Sequence, residues 1–319
     1  MISLSGTGVL ILAKHPSLHS IALISIIGLL SVVLISYAFE PLIFYWLVSK
    51  KGRNRRLPLT LTDIIFTLIV LSAGLVLSIF MNLMLFLVYL LPMPGKTKKR
   101  IMHYLMMYSL RIPLTAMANI KRKIISANHL DFTTPSVIIA NHQSHLDLPL
   151  LLMLSPKIIV LTTSWVWNNP VYALVIRYLD FYPVTGGYEN LIEKLKKKVE
   201  DGYSILIFPE GTRSPDSRIR RFHKGAFLLA EKLSLDITPV IIHGSGDCMN
   251  KGENHLKGGR ITLKAFPRIK VQDDSFGKNY HERTKTILKF FRNEFEKMKV
   301  ELETPAYFRK KLIRNYIFK

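Results

Sequence analysis

The chain has 319 residues, room for one or two domains with a sizeable core. Its 44 Lys and Arg against 22 Asp and Glu leave a net charge of +22, yet 49% of residues are apolar, which excludes a disordered basic tail. The single cysteine, Cys248, excludes an intramolecular disulfide or a cysteine-based metal cluster, and the excess charge calls for an anionic partner, either nucleic acid or a phospholipid surface.

Residues 16–39 carry no Lys, Arg, Asp or Glu, and Ser20–Phe39 has the ~20 apolar residues that a bilayer-crossing helix needs. A cleaved signal peptide fits less well, because the run is long, no small-residue cleavage site is present and the basic residues follow it. Those residues, Lys50, Lys51, Arg53, Arg55 and Arg56, place the loop in the cytoplasm by the positive-inside rule. A second uncharged run, Ile64–Gly95, ends in Lys96, Lys98, Lys99 and Arg100. With basic residues on both flanks, it reads as two short helices broken near Ser72–Ala73–Gly74, embedded in one leaflet and returning to the cytoplasmic side. One long tilted helix is the other reading. The aromatic residues lie in apolar runs and are not interleaved with Arg in a groove pattern, so nucleic acid is not the expected partner.

From about residue 100 short β-branched runs alternate with helical patterns: Ser136–Ala140, Ile158–Thr162, Tyr203–Phe208, Ile237–Ile242 and Ile261–Phe266. Leu191, Leu195 and Val199 make an apolar stripe at helical spacing, and Phe290, Phe291, Phe295 and Met298 mark a late amphipathic helix. This texture predicts an α/β domain with a mainly parallel sheet and flanking helices, preceded by N-terminal membrane helices. The organisation is then a membrane helix region over 1–60, a membrane-embedded helix or helical hairpin over 61–99, and the α/β domain over 100–319. Its tail sets Arg309, Lys310, Lys311 and Arg314 among Tyr307, Phe308, Ile313, Tyr316, Ile317 and Phe318, a pattern that suits a membrane interface or a frayed basic terminus.

Two segments carry residues that do chemistry. In Ser136–Asp147, SVIIANHQSHLD, an apolar strand ends at Ala140 and polar residues follow at once, where ligands of α/β sheets sit. If His142 occupies the strand-to-helix turn and Asp147 lies one turn into the helix, the carboxylate reaches one ring nitrogen and leaves the other as a general base. By spacing alone, such a pair is more often a helix cap than a catalytic pair. His142, His145 and Asp147 also offer zinc-type donors, but no companion ligand cluster follows, so no metal and no cofactor is expected. Ser144 lacks the Gly-x-Ser-x-Gly elbow of a nucleophile. In Ile205–Ser214, ILIFPEGTRS, a strand stops at Pro209 and gives way to Glu210, Gly211, Thr212 and Arg213, with Arg218, Arg220, Arg221 and Lys224 close behind. A flexible glycine beside a planar guanidinium reads as an anion site, or as a solvated basic loop near a membrane.

The ordered set NHQSHLD, FPEGTRS and the TPVII of the Ile237–Ile242 strand resembles the 1-acylglycerol-3-phosphate acyltransferase family over about residues 100–270. The resemblance implies that His142 deprotonates an acceptor hydroxyl, that Asp147 orients His142, and that Glu210, Gly211, Thr212 and Arg213 bind the acceptor. It implies acyl-CoA or acyl carrier protein as donor, a lyso-lipid as acceptor and membrane lipids as surroundings. One block departs from the family pattern: in LDFYPVTGG the arginine that usually closes the stretch is replaced near Gly186, and Arg177 lies ahead of it. A lyso-aminolipid therefore competes with lysophosphatidate as acceptor. Residues 1–50 resemble the last membrane helices of RND/MMPL-type lipid exporters, which implies an exporter as partner and a bacterial inner membrane, with the active site on the cytoplasmic face. A non-catalytic accessory protein of such an exporter is the reading from a different class.

Overall fold

The computed structural model describes residues 16–39, 61–184, 187–304 and 307. The chain divides into two units, Met1–Leu59 and Thr60–Lys319. The first contains α1 (Pro16–Leu34), which continues as a π-helical turn over Ile35–Phe39. The sequence around it, 1–15 and 40–60, where the exporter-like resemblance largely falls, lies outside the described residues, as do Gly186 and 308–319 of the basic tail.

The second unit opens with α2 (Leu61–Leu90) and α3 (Gly95–Ala116). The break foreseen near Ser72–Ala73–Gly74 is absent: α2 runs through it as one helix of 30 residues. A lone glycine in a helix costs only about 1 kcal/mol against alanine, too little to break a helix of this length. Both α1 with its continuation, Pro16–Tyr37, and α2 are long and apolar enough to cross a membrane by length and composition.

The rest follows as β1 (Ile120–Ile125), β2 (Val137–Ala140), α4 (Asp147–Leu152), β3 (Ile158–Thr162), α5 (Ser164–Trp167), α6 (Ala173–Tyr178), β4 (Tyr182–Pro183), α7 (Ile192–Glu200), β5 (Ser204–Ile207), α8 (Gly225–Lys232), β6 (Ile237–His243), α9 (Ser245–Cys248), β7 (Gly259–Ala265) and α10 (Tyr280–Leu302). The seven strands lie in the order β1-β7-β6-β2-β5-β3-β4. Every pairing is parallel except β6 with β7, so the sheet is mainly parallel as the alternation of strand and helix patterns predicts.

Alternation along each strand feeds two cores. Ile138, Ala140, Ile158, Val160, Leu206, Val240 and Ile242 face one side, which also takes in Met81 and Val88 of α2 and Met102 and Leu114 of α3. Val137, Ile139, Ile159, Ile205, Ile207 and Ile241 face the other, against Leu195 of α7, Phe227 of α8 and Phe291 and Phe295 of α10. Strands buried on both faces read as continuous apolar runs, which is how these appear in the sequence. α10 starts where the Asn279 side chain accepts from the N–H groups of His281 and Glu282, both at 3.0 Å. The carboxyl ends of β2, β5 and β6 therefore lie side by side, and the polar segments of both motifs issue from that edge.

Candidate active site

Asn141, the first residue after β2, clasps the neighbouring strand. Its Oδ1 accepts from the Ile242 N–H at 2.7 Å and its Nδ2 donates to the Ile242 carbonyl at 2.9 Å. That clasp ends the strand and turns the chain into His142. The imidazole stacks on Phe208, the residue that follows β5, with ring centres 4.2 Å apart. His142 Nδ1 is 2.9 Å from Asp147 Oδ2, and the His142 side chain is 19% exposed whereas Asp147 is fully buried. Asp147 is the first residue of α4, not one turn into it as expected. From there its Oδ2 also accepts from the N–H groups of Gln143 (2.6 Å) and Ser144 (2.8 Å). One oxygen thus gathers three donors and fixes the turn and the ring together. An oxygen that already accepts two N–H bonds takes Nδ1 as a third donor, so Nε2 is the nitrogen left for a substrate. The same carboxylate thus braces the turn ahead of α4 and holds the ring, without capping the helix itself.

The two motif loops are sewn together by hydrogen bonds that use backbone groups on at least one side. The Ser214 N–H donates to the His142 carbonyl at 2.8 Å, and Gln143 Nε2 donates to the Ser217 carbonyl at 2.8 Å. Glu210 is buried, and both its oxygens are occupied: Oε1 accepts from the His142 N–H at 2.9 Å and Oε2 from the Arg220 N–H at 3.0 Å. Burial pushes its carboxyl up to about 7, against the pull of those two backbone donors. The folded protein then holds this proton more tightly than the unfolded chain does, for which the ordinary value is 4.5. Its contribution to stability is full below that value and is lost as pH rises toward 7. Denaturant midpoints of the parent and of Glu210→Gln, taken at several pH values between about 5 and 8, check this. The parent should lose of the order of 1–3 kcal/mol relative to the variant across that range; a constant difference assigns the drift to other groups.

Gly211 adopts φ +67°, a left-handed conformation that favours glycine, and a Cβ there would come within 3.2 Å of the exposed His223 ring. Thr212 is exposed, and its Oγ1 accepts from Lys251 Nζ at 3.0 Å. Arg213 is half-buried; its Nη1 is buried with no hydrogen-bond partner among the described residues, and burial lowers its proton affinity. Gly211, Thr212 and Arg213 thus present a backbone turn, a hydroxyl and a guanidinium on one loop tied to His142.

Ser144 is buried, and its Oγ accepts from the Leu146 N–H at 3.3 Å, a turn contact. His145 is exposed. Among the described residues Arg177 makes no hydrogen bond or ion pair to the motif loops: its guanidinium stacks on Trp167 and donates to Asn168 Oδ1 at 3.0 Å. Sequence reasoning missed Asn141, Phe208 and Lys251. The first two stand inside the quoted motifs, directly after β2 and β5, and their position at strand ends was the available signal. Lys251 reaches Thr212 from 39 residues away and had none.

Residues 115–243 match the acyltransferase family, a span that contains both motif loops. A chloroplastic 1-acyl-sn-glycerol-3-phosphate acyltransferase of Brassica napus is 32% identical over 135 residues, 41% of this chain and 39% of its own length. One from Cocos nucifera is 30% identical over 146 residues, covering 44% of this chain and 47% of its own length. The chain therefore spans less than half the length of these curated relatives. The crystal structure of the 1-acyl-sn-glycerophosphate acyltransferase of Thermotoga maritima matches with a TM-score of 0.65 and 22% identity, over 75% of this chain and 96% of that one. That likeness is one of fold.

Proposed function

We propose, from the match of residues 115–243 to the acyltransferase family, that the chain moves a fatty acyl group from a thioester donor to the hydroxyl of a lyso-lipid, with 1-acylglycerol-3-phosphate as acceptor and phosphatidate as product. The observation that carries this reading is the His142–Asp147 pair at the end of β2, with Nδ1 taken and Nε2 left for a substrate. His142 Nε2 accepts the hydroxyl proton as the oxygen attacks the thioester carbonyl carbon. The C–O bond forms, the tetrahedral intermediate collapses, and the C–S bond breaks. The imidazolium, stabilised by Asp147, returns its proton to the departing thiolate, so an ester and a free thiol leave and no acyl-enzyme is formed. The donor is acyl-CoA or acyl carrier protein.

Gly211, Thr212 and Arg213 bind the acceptor phosphate, with Lys251 adding a second cation beside Thr212. Replacing Arg213 by alanine should raise KM for lysophosphatidate about 10- to 100-fold, since a charge-assisted bond contributes about 1.5–3 kcal/mol. An uncharged lyso-lipid acceptor should be used nearly as well as before. Equal losses on charged and uncharged acceptors would remove the phosphate role. The engagement of Arg177 by Trp167 and Asn168 favours a second reading, a less anionic acceptor such as a lyso-aminolipid, because no replacement for the family's arginine is thereby supplied.

The chain works at a membrane from its cytoplasmic side. Supporting this are the basic stretches after each apolar run and the exposed apolar surface of α2, whose Leu68, Ile69, Leu75, Val76, Ile79 and Phe86 all face away from the core. α2 is also tied to the α/β domain at several points along its length, through Thr67, Ser78 and Asn82, which favours seating in one leaflet over a free span. Transfer of labelled acyl groups by membranes containing the chain tests the whole reading.

A further inference from the structure

The middle of α2 is fastened to the loop between α5 and α6. Ser78 Oγ and Asn82 Nδ2 both donate to the Val171 carbonyl, at 2.5 and 3.1 Å. Ser78 and Asn82 are one turn apart on one face of the helix, and Leu75, Ile79, Leu83 and Phe86 neighbour them at helical spacing. All four are exposed. On the other side of this contact Val171 and Leu174 are exposed as well, and Trp165 of α5 is 67% exposed. Soluble surfaces scatter such residues singly; here two segments some 90 residues apart in sequence are brought together to form one apolar surface.

Charge borders this surface. Arg177, at the last turn of α6, lies 5.3 Å from the Trp167 ring centre, and its Nε and Nη2 donate to the Trp167 carbonyl and Asn168 Oδ1. An aromatic ring with a guanidinium held over it, at the edge of an apolar patch, is the composition found where acyl chains give way to headgroups. The net charge of +22 complements an anionic leaflet. β3 is parallel to β5 and β2, so the Ser164–Tyr178 hairpin leaves the sheet at the edge that carries His142.

We propose that the Ser164–Tyr178 hairpin enters the lipid leaflet beside α2, with Trp165, Val171 and Leu174 among the acyl chains and Arg177 at anionic headgroups. This rests on the membrane seating of α2 put forward above and adds a second point of entry, next to the catalytic edge, where a lyso-lipid reaches His142 without leaving the leaflet.

The chain has three tryptophans, Trp46, Trp165 and Trp167, so the full chain carrying Trp46→Phe and Trp167→Phe reports from Trp165 alone. Mixed with vesicles of phosphatidylcholine and phosphatidylglycerol, it should sediment with them, and brominated acyl chains should remove most of its emission. Unchanged emission from protein that does sediment overturns the proposal while leaving the seating of α2 intact. Failure to sediment defeats the membrane reading and this proposal with it. In a second variant, Trp165→Glu with Leu174→Glu, vesicle affinity should fall about 10-fold or more, from moving two large apolar contacts out of lipid. Turnover on a detergent-dispersed acceptor should persist. Unaltered vesicle affinity in that variant also overturns the proposal.

Discussion

Replacing His142 by alanine should lower kcat about 100- to 10,000-fold, the range a positioned general base contributes, with little change in the KM of either substrate. The loss belongs to chemistry and not to folding. The imidazole is part-exposed, and the turn around it is held by the Asp147 bonds to Gln143 and Ser144 and by the Glu210 bond to the His142 N–H, none of which uses the ring. Thermal unfolding of the variant should therefore shift by only a few degrees, chiefly through the lost stacking on Phe208. Steady-state kinetics and a melting curve on one preparation separate the two effects. Turnover like that of the parent would end the proposed mechanism.

Asp147→Asn should be nearly as damaging to turnover and, unlike His142→Ala, should also destabilise the fold. The three donors gathered on Oδ2 are kept if the amide oxygen takes that place, but they then meet a neutral acceptor, and the forming imidazolium loses its countercharge. The new amide nitrogen sits at the buried Oδ1 position, which has no partner among the described residues. Leaving a donor unsatisfied there costs about 1–3 kcal/mol. The expected result is a kcat about 100-fold lower or worse, together with a lower denaturant midpoint. A variant with reduced stability and full turnover would make Asp147 a brace of the turn alone.

The parts of the fold that could be read in the sequence are those buried on both faces. β2, β3, β5 and β6 appear as uninterrupted β-branched runs because each packs against both cores. β1, IKRKII, is an edge strand whose apolar residues are interrupted by Lys121, Arg122 and Lys123, so it has no such run and was not foreseen. β4, of two residues, is too short to leave a pattern. α2 shows the opposite failure. Gly74 was read as a break, yet a Cβ there would meet nothing within 4 Å, so neither close packing nor a turn requires it, and the helix passes through.

The site was legible to the same degree. The strand-end position of His142 and the nearness of Asp147 could be read from spacing, but not that one carboxylate oxygen would bind the ring and two backbone N–H groups at once. Glu210 followed from the resemblance as an acceptor contact; its burial and its two backbone partners make it a brace between His142 and Arg220. That arrangement depends on how two loops fold over adjacent strands, which no local pattern encodes.

The measurement that bears most directly on the central claim is acyl transfer by membranes containing the full chain. Labelled acyl-CoA and acyl carrier protein would be offered with lysophosphatidate and lyso-aminolipid acceptors, beside membranes carrying His142→Ala. Labelled diacyl product from the parent and none above background from the variant is the expected result, and the acceptor used decides between phosphatidate and its aminolipid competitor. Silence on every acceptor, or product formed equally by the variant, would contradict direct transfer with His142 as base.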